Sequence, residues 1–185
     1  MTLRLKPTVH VCALRHVPDM VMRTGASHLI SAINADLLPP TPATLVPERH
    51  LKLDMHDIVE ARPDWTPPAE RHVAELIAFA ESWDRQAPLL IHCFAGLSRS
   101  TAAAFITLCA LHPHVEEDEI ARALRRSSAT AVPNRLFVTL ADKALARRGR
   151  MVAALESMGP HRVALECVPF EIEALPERTG TSRAA

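Results

Sequence analysis

The chain has no tyrosine, and its aromatic residues are limited to two tryptophans and five phenylalanines. The protein therefore cannot be regulated by phosphorylation of its own tyrosines. Charge of one sign is not in excess either: 21 Lys and Arg balance 21 Asp and Glu. That balance gives no argument for nucleic acid or an anionic membrane surface as partner. Long apolar runs are missing. No stretch reaches the roughly 18–20 residues of a membrane span, and the N-terminus lacks the apolar run and cleavage pattern of a secretory signal. A cytoplasmic protein without membrane contact is expected. Cysteine is sparse and scattered, at Cys12, Cys93, Cys109 and Cys167. With no CxxC pair and no Cys/His ligand spacing, neither a disulfide framework nor zinc is expected. No metal and no cofactor are expected, and the scattered thiols fit a reducing compartment. The chain also shows no internal repeat and no low-complexity tract.

What is present centres on Pro88 to Leu111, PLLIHCFAGLSRSTAAAFITLCAL. Leu89, Leu90 and Ile91 read as a short buried strand, with proline tolerated just ahead of it. His92 to Ser98 reads as a loop. From about Arg99 to Leu111 the sequence is Ala-rich and apolar, which predicts a buried helix. A tight loop leading into a helix N-terminus gathers backbone N–H groups and the positive end of the helix dipole at one point, where anions such as phosphate bind. Cys93 follows the strand directly and should sit at the base of this loop. Arg99, six residues on, offers a planar fork for two oxygens of an oxyanion. Ser100 can hydrogen-bond the sulfur, and Gly96 lets the backbone turn under a bound anion without a Cβ in the way. All of these surroundings favour a negatively charged sulfur. A nucleophile built into an oxyanion cradle predicts covalent phosphoryl transfer through cysteine. Cys12 and Cys109 lie in apolar surroundings and read as core residues. Cys167 is a candidate resolving thiol for oxidised Cys93.

The rest of the chain supplies a scaffold. Thr8 to Leu14 reads as a strand. His16 to Met22 reads as a short helix or turn with Pro18 as breaker. Ser27 to Asn34 reads as a second strand or a short amphipathic segment, and Leu37 to Pro47, with four prolines, as a loop. Arg49 to Leu53 predicts another strand, followed by a loop over Glu60 to Pro68. A helix is then predicted from Thr66, with Thr66 as cap and Pro67 at its first position. Its apolar stripe is Val73, Leu76, Ile77, Ala80 and Trp83. Further helices are expected over Glu116 to Arg126, within Ala131 to Arg147 with Leu136, Phe137, Leu140 and Leu145 inward, and over Met151 to Met158. An edge strand is expected between His161 and Leu175. The length suits one domain over residues 1–175, with 176–185 expected as a disordered tail.

His92-Cys93-Phe94-Ala95-Gly96-Leu97-Ser98-Arg99-Ser100 resembles the signature loop of the cysteine-based protein tyrosine phosphatase superfamily: His-Cys, five residues, Arg, then Ser or Thr. Its Ala-Gly-x-Ser-Arg-Ser wording resembles the dual-specificity-like, small bacterial-type branch. A core cysteine beside a helix-capping arginine would not account for His, Gly, Arg and Ser at these spacings. The resemblance implies an α/β fold with a central, mostly parallel sheet of about four or five strands flanked by helices. It implies a metal-independent phosphatase acting on phosphomonoesters, with phosphotyrosine the first candidate and phosphoserine and phosphothreonine further ones, in a phosphorylated protein or a small molecule. Phe94, Ala95, Gly96, Leu97, Ser98 and Arg99 would bind the phosphoryl group, and His92 would support the loop. The leaving oxygen needs a proton, so a carboxylic acid should face the loop. Asp54, Asp57 and Asp64 are the candidates. In the family the acid follows a strand reading aromatic-leucine-x-isoleucine, and His50 to Asp57 follows that pattern and favours Asp57, just past a strand end. His56 and Trp65 are candidates for the pocket mouth. The loop carries no lysine, which favours a singly phosphorylated substrate. Two other readings use the same loop: a phosphoprotein-binding pseudophosphatase, and a sulfur or arsenate enzyme.

Overall fold

The computed structural model describes residues 8–173 of the 185; the tail expected over 176–185 lies outside them. Five strands form one sheet: β1 (Thr8–Ala13), β2 (His28–Ala32), β3 (His50–Leu53), β4 (Leu89–Cys93) and β5 (Phe170–Glu173), in the order β3-β2-β4-β1-β5. The first four run parallel, and β5 adds antiparallel to β1 at the edge, with Val9 opposite Ile172. The expected α/β class with a mostly parallel sheet holds. Both faces of such a sheet are covered, so its inner strands are continuously apolar rather than alternating. In β4 every residue is buried. Leu89 and Ile91 join Val9, Val11 and Ile30 in the larger core, while Leu90 joins Leu29 and Cys12 on the opposite face.

Six helices cover the sheet: α1 (Val17–Thr24), α2 (Glu70–Ser82), α3 (Arg99–Leu111), α4 (Glu117–Ser127), α5 (Arg135–Ala144) and α6 (Arg150–Ser157). Val17, Met20 and Val21 of α1 pack over the smaller core. The other five helices contribute to the larger one. In α3, Arg99 to Cys109 are all buried. A helix enclosed on all sides has no polar face, which explains its Ala-rich, unstriped sequence. Among the described residues no helix is long and apolar enough to cross a membrane.

Several elements depart from the sequence expectation. Pro18 opens α1 rather than breaking it; its missing N–H costs nothing in a first turn. Ser27 to Asn34 resolves as a strand, β2, with all five residues buried. Thr66 does not start α2. Its backbone is committed to His56, accepting from the His56 N–H at 2.7 Å and donating to His56 Nδ1 at 3.0 Å. The helix begins at Glu70, and His72 Nδ1 accepts the Ala69 N–H at 3.1 Å, serving an otherwise unpaired helix-start donor. On α5, Phe137 is buried together with Val138 and Ala141, whereas Leu136, Leu140 and Leu145 are half-buried.

The C-terminal helices are tied together by a buried ion cluster. Glu117, 3 % exposed, accepts from Arg147 Nη1 at 3.0 Å and Arg150 Nε at 2.9 Å, and Arg147 also donates to the Cys109 carbonyl at 2.7 Å. Burial alone would push the Glu117 carboxyl up. Hydrogen bonds from Arg150 and the backbone, with the charges of both arginines, outweigh burial and hold it below its usual range. A depressed carboxyl stabilises the fold above its unfolded value of about 4.3, and the contribution is lost as pH falls through the folded value. Glu117→Gln should therefore cost about 3 kcal/mol at pH 7, because the buried Arg147 guanidinium keeps its carbonyl partners but loses its counter-charge. Urea unfolding of the variant and the wild type should converge as pH falls below about 4.

Candidate active site

The site forms where β4 ends and α3 begins, at the C-terminal edge of the parallel strands, where ligand crevices of such sheets lie. Phe94 to Ser98 links the two elements, and each carbonyl with a recorded backbone bond faces outward. Phe94 O accepts from Leu14 N at 3.1 Å, Ala95 O from Cys167 N at 2.9 Å, and Leu97 O from Val132 N at 2.8 Å. Ser98 O accepts from Ala102 N at 2.9 Å and Asn134 N at 3.3 Å. In a trans peptide the carbonyl and the following N–H point opposite ways. The N–H groups of Ala95, Gly96, Ser98 and Arg99 are thus turned inward. Gly96 N shows the result, donating to Cys93 Sγ at 3.2 Å. These four N–H groups line the inner side of the loop, where the sulfur lies.

Cys93 is 2 % exposed and lines the floor of a cleft of about 680 Å³. Ser100 Oγ lies 3.2 Å from its sulfur. Arg99 is 5 % exposed and also lines the cleft. Its Nη1 donates to the Met55 carbonyl at 2.8 Å, which aims the guanidinium, while its buried Nε has no partner among the described residues. A buried cationic donor left unpaired is costly unless an anion takes it. Gly96 has φ +72°, and a Cβ there would lie 2.2 Å from Cys167 Sγ and 2.8 Å from the Cys12 carbonyl carbon. The positive φ favours glycine, and a side chain here would also collide with Cys167 and with the end of β1 behind the loop, a crowding the sequence did not show.

Of the three candidate acids, Asp57 lines the cleft. Its Oδ1 accepts from Ser98 Oγ at 2.7 Å and from Asn134 Nδ2 at 2.9 Å. Asp54 is committed elsewhere, its Oδ1 accepting the Ala35 N–H at 2.7 Å. Asp64 sits at φ +60° in the following turn and is exposed. Trp65 lines the cleft mouth, 47 % exposed, with its ring centroid 4.7 Å from that of His56. His56 is half-buried and lines the same cleft. Phe94 projects there too, 57 % exposed. His92 is fully buried behind the loop, with Nδ1 3.2 Å from the Cys93 carbonyl.

Of the residues behind and around the loop, Asn134 was not legible in advance, whereas the sequence singles out Cys167 as a thiol for Cys93. Asn134 caps α5 through its carbonyl oxygen, which accepts from Phe137 N at 3.0 Å, and turns its amide to Asp57. Asn134 follows Pro133 in the sequence, a pair that suits a helix start but says nothing of that contact. Cys167 lies directly behind the loop, its thiol pushed up to about 12 by burial, with the nearby Cys93 and Glu166 adding to the shift. Burial also pushes the Cys12 and Cys109 thiols up, and both are core residues. Among the described residues no three His, Cys, Asp or Glu side chains converge as a metal site.

Residues 54–135 match the family model of the protein-tyrosine phosphatases. The fold resembles that of DUSP15, with a TM-score of 0.58 at 20% identity over 90% of this chain and 98% of that one. Human DUSP28 gives 0.57 at 18% identity over 76% of this chain and 89% of that one. PTPMT1 in complex with PI(5)P gives 0.58 at 16% identity over 76% and 94% respectively. No curated protein matches the chain significantly.

Proposed function

We propose that the chain is a cysteine-based phosphatase of the protein tyrosine phosphatase superfamily, whose family model its residues 54–135 match, and that it hydrolyses phosphomonoesters through a cysteinyl-phosphate intermediate. The observation that carries the reading is the pairing of Cys93 Sγ with the buried, unpartnered Nε of Arg99 in one ring of inward N–H groups. Cys93 attacks phosphorus, the S–P bond forms and the ester P–O bond breaks. Arg99 and the loop N–H groups hold the non-bridging oxygens as charge develops on them. Asp57 gives its proton to the leaving oxygen. Water then attacks the intermediate and passes a proton back to Asp57. The S–P bond breaks, inorganic phosphate leaves, and Ser100 donates to the departing thiolate. His92 supports the loop from behind.

Substrate class follows from the cleft lining. Arg99 is the only Arg or Lys among its lining residues, and Asp36 and Asp57 lie at the same cleft. That balance suits one phosphoryl group on a phosphotyrosine or related side chain, with Trp65 and Phe94 as apolar walls. PI(5)P, found in the PTPMT1 complex, belongs in the same screen as phosphopeptides. The four free, buried thiols fit a reducing cytoplasm.

The test is para-nitrophenyl phosphate turnover by reduced protein with chelator present, followed by an acid quench. Turnover with a phosphate adduct on the Cys93 peptide is expected. Folded, reduced protein that binds vanadate but turns over nothing would instead be a phosphate-reading module.

A further inference from the structure

Behind the loop runs a continuous file of side chains that begins at His92 and that, beyond His92, the mechanism above does not use. His92 Nε2 lies 2.6 Å from Ser31 Oγ, the same Ser31 Oγ lies 2.8 Å from His50 Nε2, and His50 Nδ1 lies 2.8 Å from Thr41 Oγ1. Ser31 and His92 are fully buried and His50 is 7 % exposed. The file crosses three adjacent strands, β4, β2 and β3, and reaches the proline-rich segment that contains Thr41.

Its proton arrangement is fixed by elimination. A carbonyl can only accept, so at 3.2 Å from Cys93 O the His92 Nδ1 must carry hydrogen. Burial pushes both His92 and His50 down to about 4, so both rings are neutral near pH 7 and each carries one ring hydrogen. His92 Nε2 is then an acceptor, and Ser31 must donate to it. Ser31 Oγ, its hydrogen spent, accepts from His50 Nε2–H. His50 Nδ1 is left as an acceptor for the Thr41 hydroxyl. Every hydrogen bond points the same way, towards the Cys93 carbonyl.

We infer that Ser31 and His50 are positioning residues for the nucleophile: they fix the His92 tautomer that holds the Cys93–Phe94 peptide with its carbonyl outward and its N–H turned into the anion cradle. The inference rests on the phosphatase reading and extends it to side chains outside the cleft. Aligned hydrogen bonds polarise one another, so this peptide is both oriented and polarised in the sense that stabilises negative charge beside Cys93. Without the Ser31 hydroxyl, His92 can take its other tautomer, which sets a nitrogen lone pair against the Cys93 carbonyl oxygen.

The ionisable groups around Cys93 are Arg99 on α3, Asp36, His56 and Asp57 at the cleft, His92 beside it on β4, Cys12 on β1 and Cys167 behind the loop. Lys52 on β3 bears on His50, and Arg99 on His92. Ser31→Ala and His50→Phe alter none of them.

The experiment measures the rate of iodoacetamide alkylation of Cys93, identified by its peptide, against pH. The other three thiols are pushed up by burial and stay silent between pH 5 and 8. Ser31→Ala should move the midpoint up by about one unit, a tenfold slower alkylation at fixed pH on the acid side. His50→Phe, at the sheet edge, should move it up by about half that, and His50→Gln, which keeps a donor to Ser31, should restore it. Folded Ser31→Ala with the wild-type midpoint would overturn the inference. If Ser31→Ala does not fold, an unmoved midpoint in His50→Phe overturns it equally. A wild-type Cys93 that resists alkylation throughout would sink the reading of the site itself, so the two failures are distinguishable.

Discussion

Cys93→Ser is expected to lower para-nitrophenyl phosphate turnover by about 10⁵-fold or more, on the scale seen when a hydrolase loses its nucleophile. The reason is the site's lack of a base for that position. A hydroxyl nucleophile needs a neighbour to take its proton, whereas a thiolate does not. The groups nearest the sulfur are the Gly96 N–H at 3.2 Å and the Ser100 hydroxyl at 3.2 Å, which can stabilise an anion but have little ability to remove a proton. His92 is adjacent in sequence, yet its ring is engaged by the Cys93 carbonyl and Ser31. Serine would sit in an intact cradle without being activated. Anion binding should survive, because Arg99 and the loop N–H groups are untouched and serine fits the space of cysteine. Titration calorimetry with vanadate or inorganic phosphate should show affinity within a few fold of wild type. Substantial turnover in the variant would end the covalent mechanism. Loss of both binding and the thermal transition would mean that cysteine has a packing role as well.

What could be read from the sequence and what could not divide along the chain's geometry. The stretch from Leu89 to Leu111 was legible because its geometry is local: strand, loop, cysteine, arginine and helix follow one another, so spacing alone specifies their arrangement. The inner strands β1, β2 and β4 were legible for the same reason, each being a short, largely apolar run. Contacts that close the site across long separations were not. Asn134 reaches Asp57 over 77 positions, and Ser31 reaches His92 over 61. In the sequence Ser31 is a small polar residue inside an apolar run, and only pairing β2 beside β4, with Ser31 opposite His92, shows what it does. Thr66 misled because a good capping residue was already used by a tertiary contact, the backbone pair with His56. Gly96 stood out in the sequence for its turn, but the crowding behind it, from Cys167 and from the end of β1, comes from residues more than seventy positions away in either direction.

Asp57→Asn is expected to separate chemistry by leaving group. General acid catalysis is typically worth about 10²–10⁴-fold, and it is needed only when the departing oxygen cannot leave as an anion. The rate should fall within that range for an alkyl phosphate or phenyl phosphate. It should change little for an activated ester whose phenol is strongly acidic. Geometry supports a near-isosteric exchange. The Ser98 hydroxyl and the Asn134 amide both donate to Oδ1, a bond pattern that an asparagine carbonyl oxygen can accept unchanged. Oδ2 is the oxygen that neither donor holds, and it is therefore the one free to carry the transferred proton. Asparagine places an amide there, which holds position but cannot give up a proton. The decline of rate at high pH, which reports loss of the acid's proton, should flatten in the variant, while the fall at low pH should remain. The comparison also tests the neighbours that hold the carboxylate. Asn134→Ala should steepen the leaving-group dependence in the same sense, but less, because Ser98 still anchors Oδ1. An unchanged alkyl phosphate rate in Asp57→Asn would return the proton-donor role to Asp64 or Asp54, and Asp54 could take it only by releasing the Ala35 N–H that it now accepts at 2.7 Å.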